Sequence, residues 1–315
     1  MQVGDQQATT RAGGAAKAPR KRAATVVPIG ARPSVQGAPL GPGSVLWRVA
    51  GDGRGLLTGT AAGIMQLMHP GLGAGVVDHS AFFTDPWGRI LRSIPQIWGT
   101  IFSADDGEGD QRGRAIRDLH PHIKGTDDQG RRYHALDPDV FWWAHATFTW
   151  EFLRAAELFF PFPLRRREQE QLYLESITWY QRYGVSDRPV PSDLTAFERR
   201  FDEICRTELE LTPAAARALR PPKSSPKVPT NLPSALAFAE PVVAKAKGET
   251  LRLTTFGSMP DVVRRRFEIP WTVLDRAHFT GLALAIRGLG VVLPHDRFDA
   301  LFPPDTPHRP PHPAP

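Results

Sequence analysis

His145 is the residue least suited to its surroundings. It lies in Phe141–Phe160 (FWWAHATFTWEFLRAAELFF), the most apolar stretch of the chain, with Trp142, Trp143, Phe148 and Trp150 close by in sequence. A neutral imidazole buried there must still satisfy two ring nitrogens. It can do so as a core histidine bonded to a backbone carbonyl or carboxylate. Alternatively it can ligate a metal cofactor bedded in apolar side chains, most naturally haem. The residue type alone leaves both readings open.

Arg114, Arg117 and His120 form a second set, recurring at i, i+3 and i+6 along one side of a short helix that Pro121 ends. As a plain solvated face they would do nothing more. As a site they would recognise the propionates of a cofactor or polarise bound dioxygen. His122 and His134 extend the possibilities to a non-haem metal set with His120, although Pro121 makes a loop surface there. No GxSxG elbow, GxxxxGK[ST] phosphate loop or GxGxxG fingerprint occurs. The single cysteine, Cys205, excludes a disulfide framework and any multi-cysteine zinc or iron–sulfur site.

The elements that must carry these residues are helical. Phe141–Phe160 is apolar on nearly every face and is closed by Pro161 and Pro163, so it is expected to run through the middle of the core. Leu164–Tyr183 reads as a helix stopped by Gly184, and Asp193–Leu211 as another with Ser192 as its N-cap. Ser44–Ala50, Gly59–Met68, Gly71–Phe82 and Trp271–Ile286 also carry helical periodicity. Within the third of these, Gly71, Gly73 and Gly75 would permit close helix packing or close backbone approach to a ligand. Only Tyr133–Leu136 and Gly248–Phe256 alternate as strands do. The predicted fold is all-α, one multi-helix domain over residues 44–302 around a central buried helix.

Composition sets the flanks apart. Residues 1–43 hold +5 of the formal net charge of +6, leaving a nearly balanced body. Such a tail reads as a disordered basic arm rather than a specific nucleic-acid site. Residues 303–315 are Pro-rich and expected to be disordered, and Pro221–Pro233 reads as a surface connection. No run reaches the ~18 apolar residues that span a bilayer, and no secretory signal is visible. The expected compartment is the cytoplasm.

An ordered set of motifs resembles the family of rubber oxygenase and MpaB-type oxygenase catalytic domains, which includes the latex-clearing proteins. It comprises Arg114-x-x-Arg117-x-x-His120, Lys124-Gly125, Tyr133-x-Ala135-x-Asp137-Pro138 and Trp143-Ala144-His145-Ala146-Thr147. Gln66-Leu67-x-His69-Pro70, Phe83-x-Asp85-Pro86-x-x-Arg89, Tyr173, Tyr180 and Gly184 follow the same order, covering roughly 45–220 well. The resemblance implies an all-helical fold holding one haem b, with His145 as the axial iron ligand. It also implies that Arg114, Arg117 and His120 lie on the distal helix. The cofactor pocket is expected to take Trp142, Phe148, Thr149 and His69 as well. The implied reaction uses dioxygen to cleave or oxidise a small apolar, isoprenoid-like alkene. A haem-binding protein without turnover is the alternative, and a non-haem enzyme built on His120, His122 and His134 a further one. The chain departs from the latex-clearing proteins in having Arg117 and Asp118 where they are expected to carry a lysine and a threonine.

Overall fold

A computed structural model describes residues 35–103, 105–220 and 240–292. Pro221–Pro233, residues 1–34 of the expected N-terminal tail and the whole expected tail 303–315 lie outside those residues. The fold is all-α: twelve α-helices among the described residues, two 3-10 turns and one two-stranded hairpin.

The organising element is α6, Pro138–Phe159. Asp137 caps it by accepting from the Asp139 amide at 3.0 Å, and Pro138 supplies a first-turn residue that needs no donor. Phe141, Trp142, Trp143, Ala146, Phe152, Ala155, Ala156 and Phe159 are all buried, so the helix has no solvent face over most of its length. Each such phenylalanine contributes roughly 1.5–3 kcal/mol on burial.

Helices pack around it. α1 (Val45–Ala50), the 3-10 turn Gly53–Thr58 and α2 (Gly59–Leu67) lie on one side. The Trp143 indole donates to the Met65 carbonyl at 3.0 Å, and Gln66 donates to the Ala144 carbonyl at 3.2 Å. α3 (Pro70–His79) follows, its glycines bringing backbones together. A Cβ on Gly73 would stand 2.4 Å from the Leu67 carbonyl oxygen and 2.7 Å from Thr212 Oγ1. The close-packing role expected of Gly71–Gly75 is what the structure has. α4 (Pro86–Gly99) and α5 (Asp106–Asp118) lead to the hairpin, β1 (Lys124–Thr126) against β2 (Arg132–His134), with Gly125 opposite Tyr133.

After α6 come α7 (Arg166–Gln181), α8 (Leu194–Thr207) and α9 (Pro213–Leu219). Gly184 ends the α7 region at φ +64°, as its residue type suggested. The N-cap of α8 is Asp193, which accepts from the Ala196 amide at 2.8 Å, and not Ser192. α10 (Glu240–Ser258), α11 (Asp261–Arg266) and α12 (Val273–Val292) complete the order. Gly248–Phe256, expected as a strand, is helix within α10, where Leu253 joins Ala155, Phe159, Phe279 and Ala283 in a small second core. Packing against α6 and α12 decides the matter over local alternation.

The N-terminal boundary also differs from expectation. Composition assigns residues 35–43 to the disordered arm, yet Val35–Leu40 lies along α7. Ala38 donates to the Leu174 carbonyl at 2.9 Å and accepts from Thr178 Oγ1 at 2.6 Å, and Gln181 donates to the Val35 carbonyl at 2.8 Å.

Candidate functional site

Phe141, His145, Phe148 and Phe152 recur at the spacing of one helix face, and this face of α6 meets α7. Ser176, Trp179 and Tyr180 of α7, with Tyr183 two residues past its end, present the matching i, i+3, i+4, i+7 row. The His145 imidazole is enclosed between them, with ring centroids 4.5 Å from Trp179, 5.1 Å from Tyr180 and 6.2 Å from Tyr183.

Only one ring nitrogen of His145 is satisfied. Nε2 lies 3.0 Å from the Ser176 carbonyl oxygen. A carbonyl can only accept, so Nε2 carries the proton and Nδ1 keeps its lone pair. Nδ1 is buried and has no hydrogen-bond partner. Burial drives the pKa down to about 3, against the smaller upward pull of the Ser176 carbonyl. The ring is therefore neutral at physiological pH, which is the ligating form.

α5 carries the second candidate set onto the end of α7. Its N-cap, Asp105, accepts from the Glu108 amide at 2.7 Å. Gly109 and Gly113 let α5 lie against Arg182: a Cβ on Gly113 would come within 2.3 Å of the Arg182 carbonyl oxygen. The Arg182 guanidinium is buried and donates to the carbonyls of Thr100 (2.5 Å) and Leu40 (3.1 Å) and to Asp106 (2.8 Å). Arg114 and Arg117 then flank Gly184. A Cβ there would sit 3.0 Å from Arg117 Nη1 and 3.8 Å from Arg114 Cγ. Arg114 is paired with Asp110 and Arg117 with Asp118, each at 2.8 Å.

His120 lies just beyond the end of α5. Its Nδ1 donates to the Ile116 carbonyl at 2.7 Å, and burial outweighs that bond to lower its pKa. Its ring meets Phe141 at 5.8 Å, and Phe141 meets Tyr183 at 5.3 Å. The imidazoles of His145 and His120 are thus joined through an aromatic layer of Phe141, Tyr180 and Tyr183, while Arg114 and Arg117 reach the end of α7 at Gly184.

The other expected pocket residues divide. Phe148 packs on Trp179 at 6.2 Å, and Thr149 bonds back to the His145 carbonyl at 3.3 Å. Trp142 turns toward α8, meeting Phe197 at 6.5 Å. His69 lies at the α2–α3 junction, next to Gly71, whose Cβ position would touch Val140 of α6. Its Nδ1 is buried without a partner, and burial lowers its pKa to about 4 despite the opposing fields of Asp139 and Glu210. The set His120, His122, His134 is corrected. His134 Nδ1 accepts from the Leu136 amide at 3.0 Å and His120 Nδ1 is engaged by Ile116. Among the described residues no three His, Cys, Asp or Glu side chains converge as a metal ion would need.

Ser176, Trp179 and Tyr183 belong to the site and were not singled out from the sequence; the i, i+3, i+7 row along α7 and the turn after it was the available signal. The Trp179 indole donates to Thr100 Oγ1 at 2.6 Å, tying α7 to the end of α4.

The donor chemistry around His145 fits a haem iron. It offers one neutral imidazole, one orphaned lone pair, a carbonyl fixing the opposite nitrogen, and aromatic neighbours. A family model described as "ER-bound oxygenase mpaB/B'/Rubber oxygenase, catalytic domain" matches residues 47–288. No curated protein and no solved structure matches the chain.

Proposed function

Because the chain belongs to the mpaB/rubber oxygenase catalytic-domain family, we propose that it is a haem b-dependent oxygenase with His145 as axial ligand. Its substrates are dioxygen and a small apolar alkene, met in the cytoplasm. The observation that carries this reading is the neutral imidazole of His145, enclosed by aromatic rings, with Nε2 fixed by the Ser176 carbonyl and Nδ1 buried and unpartnered. Leaving a buried polar atom unpaired costs about 1–3 kcal/mol, and coordination removes that cost.

Bound haem supplies the activation of dioxygen toward a carbon–carbon double bond. The chain's own residues prepare the setting. The Ser176 carbonyl holds the Nε2 proton of His145, which fixes the tautomer and makes the lone pair more basic. Trp179, Tyr180 and Phe148 exclude water from the imidazole and offer an apolar substrate matching surfaces. Arg114 and Arg117 bring positive charge to the end of α7, where it can stabilise negative charge developing on oxygen. His120, with its Nδ1 proton held by Ile116, has Nε2 as its proton acceptor.

The test is an absorption spectrum of protein purified from haem-supplemented cells, followed by oxygen uptake with an isoprenoid alkene. A Soret band that shifts in His145→Ala and alkene-dependent oxygen consumption with carbonyl products are expected. Haem binding without oxygen uptake would instead identify a non-catalytic haem protein. A chain that takes up no haem would end the proposal.

A further inference from the structure

Arg89 is a cation placed without an acid. It lies in the first turn of α4, where its amide donates to the Asp85 carbonyl at 3.0 Å. The side chain is half-buried, with its guanidinium carbon 5.7 Å from the centroid of the Phe82 ring. Phe82 meets Phe83 edge-on at 5.1 Å and rests on the core. Among the described residues no carboxylate pairs with Arg89 and no carbonyl accepts from its side chain. The acid closest in sequence, Asp85, pairs instead with Arg92 at 3.1 Å. Burial lowers the Arg89 pKa, and the like charge of Arg92 lowers it further, with no carboxylate opposing them. A desolvated charge is seldom kept without a partner, and one aromatic face offsets only part of its cost.

Its position gives that anomaly a direction. α4 packs on α5, and the charge of Arg89 reaches His120, where it opposes protonation. The arginines of α5 are already paired: Arg112 with Glu108, Arg114 with Asp110 and Arg117 with Asp118, each at 2.8 Å. His120 in turn meets Phe141, which meets Tyr180 at 6.1 Å, and Tyr180 meets His145 at 5.1 Å. The row thus begins at an unpaired charge and ends among aromatic rings.

We propose that Arg89 holds the head group of the substrate: it binds a carboxylate at one end of an alkene whose apolar chain extends past Phe141 toward His145. The fate of the alkene rests on the oxygenase reading; the binding of the acid does not. A guanidinium fork matches a carboxylate through two parallel N–H···O bonds. One unpaired cation balances one such anion, whereas a phosphate monoester, at about −1.5 to −2, would leave an excess of negative charge. A haem propionate is the other carboxylate that could reach Arg89, and the test separates the two.

Farnesoic acid and farnesol share one isoprenoid chain and differ at the head. The purified full chain is titrated calorimetrically with each at neutral pH, with and without added haem. Wild type is expected to bind the acid about tenfold to a hundredfold more tightly than the alcohol. Arg89→Gln should erase that preference, and Arg89→Lys should retain part of it. Arg92→Gln, which removes an equal charge from the next turn of α4, should keep it. Because Arg89 pairs with no acid, the thermal melt of Arg89→Gln should match or exceed that of wild type, which loss of a structural arginine would not allow. Equal affinity of wild type for acid and alcohol would overturn the proposal. So would an Arg89→Gln chain that keeps the preference, and if that chain also loses haem more readily, Arg89 belongs to a propionate. A preference for the acid without oxygen uptake would uphold the carboxylate site and end the oxygenase reading alone.

Discussion

Two buried imidazoles, His145 in the middle of α6 and His69 at the start of α3, each leave Nδ1 without a partner. Burial lowers both pKa values, to about 3 and about 4. Their settings differ. Around His145 the neighbours are aromatic rings and one carbonyl, with no charged group acting on its protonation. His69 feels Asp139 and Glu210 on one side and Arg131 and Arg200 on the other. An unpaired nitrogen therefore does not define a site by itself. What distinguishes His145 is a fixed opposite nitrogen in a charge-free aromatic enclosure, suited to a neutral ligand of a large apolar group.

Substitution should separate the two most sharply. His145→Ala is expected to weaken haem retention by more than about a hundredfold, beyond what loss of a supporting partner costs a metal site. His69→Ala should leave the Soret band in place. Titration of both purified variants with haem measures the difference, and equal loss in the two would dissolve the distinction. The α3 region should answer to packing instead. Gly73→Val, forced against the Leu67 carbonyl and Thr212, should destabilise by about 1–3 kcal/mol in urea unfolding while haem binding persists.

Smaller effects lie in the pH dependence. Glu151, buried in α6 beside Gly59, has its pKa pushed by burial from 4.5 up to about 8. The unfolded chain releases that proton above 4.5 while the folded chain keeps it, so stability is lost as pH rises from 4.5 through 8. Glu151→Gln should flatten that part of a melting-temperature profile. For His69 the sign reverses. The unfolded chain takes up a proton below 6.5 and the folded one resists until about 4, so stability falls as pH drops across that window. His69→Asn should lessen this acid loss, and a profile unchanged by the substitution would count against a buried, neutral His69.

The long helices were legible because their signals are local and redundant. α6 shows an apolar run closed by prolines, and α7 ends at a glycine that takes positive φ. His145 stood out for the same reason, as one polar ring in that run. Other parts depend on partners distant in sequence. Nothing local says that the Ser176 carbonyl meets Nε2, or that Arg114 and Arg117 come to rest across Gly184. The segment Gly248–Phe256 alternates as a strand would, yet it is helix because α10 must pack Leu253 against α6 and α12. Val35–Leu40 has the composition of a loose arm and is ordered by hydrogen bonds to α7, some 140 residues on.

Arg182 gives this architecture a temporal order. The acceptors that converge on its guanidinium, at Leu40, Thr100 and Asp106, precede it by 142, 82 and 76 residues. On a ribosome adding about 5–20 residues per second, they emerge seconds to tens of seconds before their donor. The first half of the chain must therefore wait, incompletely closed, until the end of α7 is synthesised. A nascent chain halted short of Arg182 should keep α4, α5 and the N-terminal segment open to proteases and chaperones.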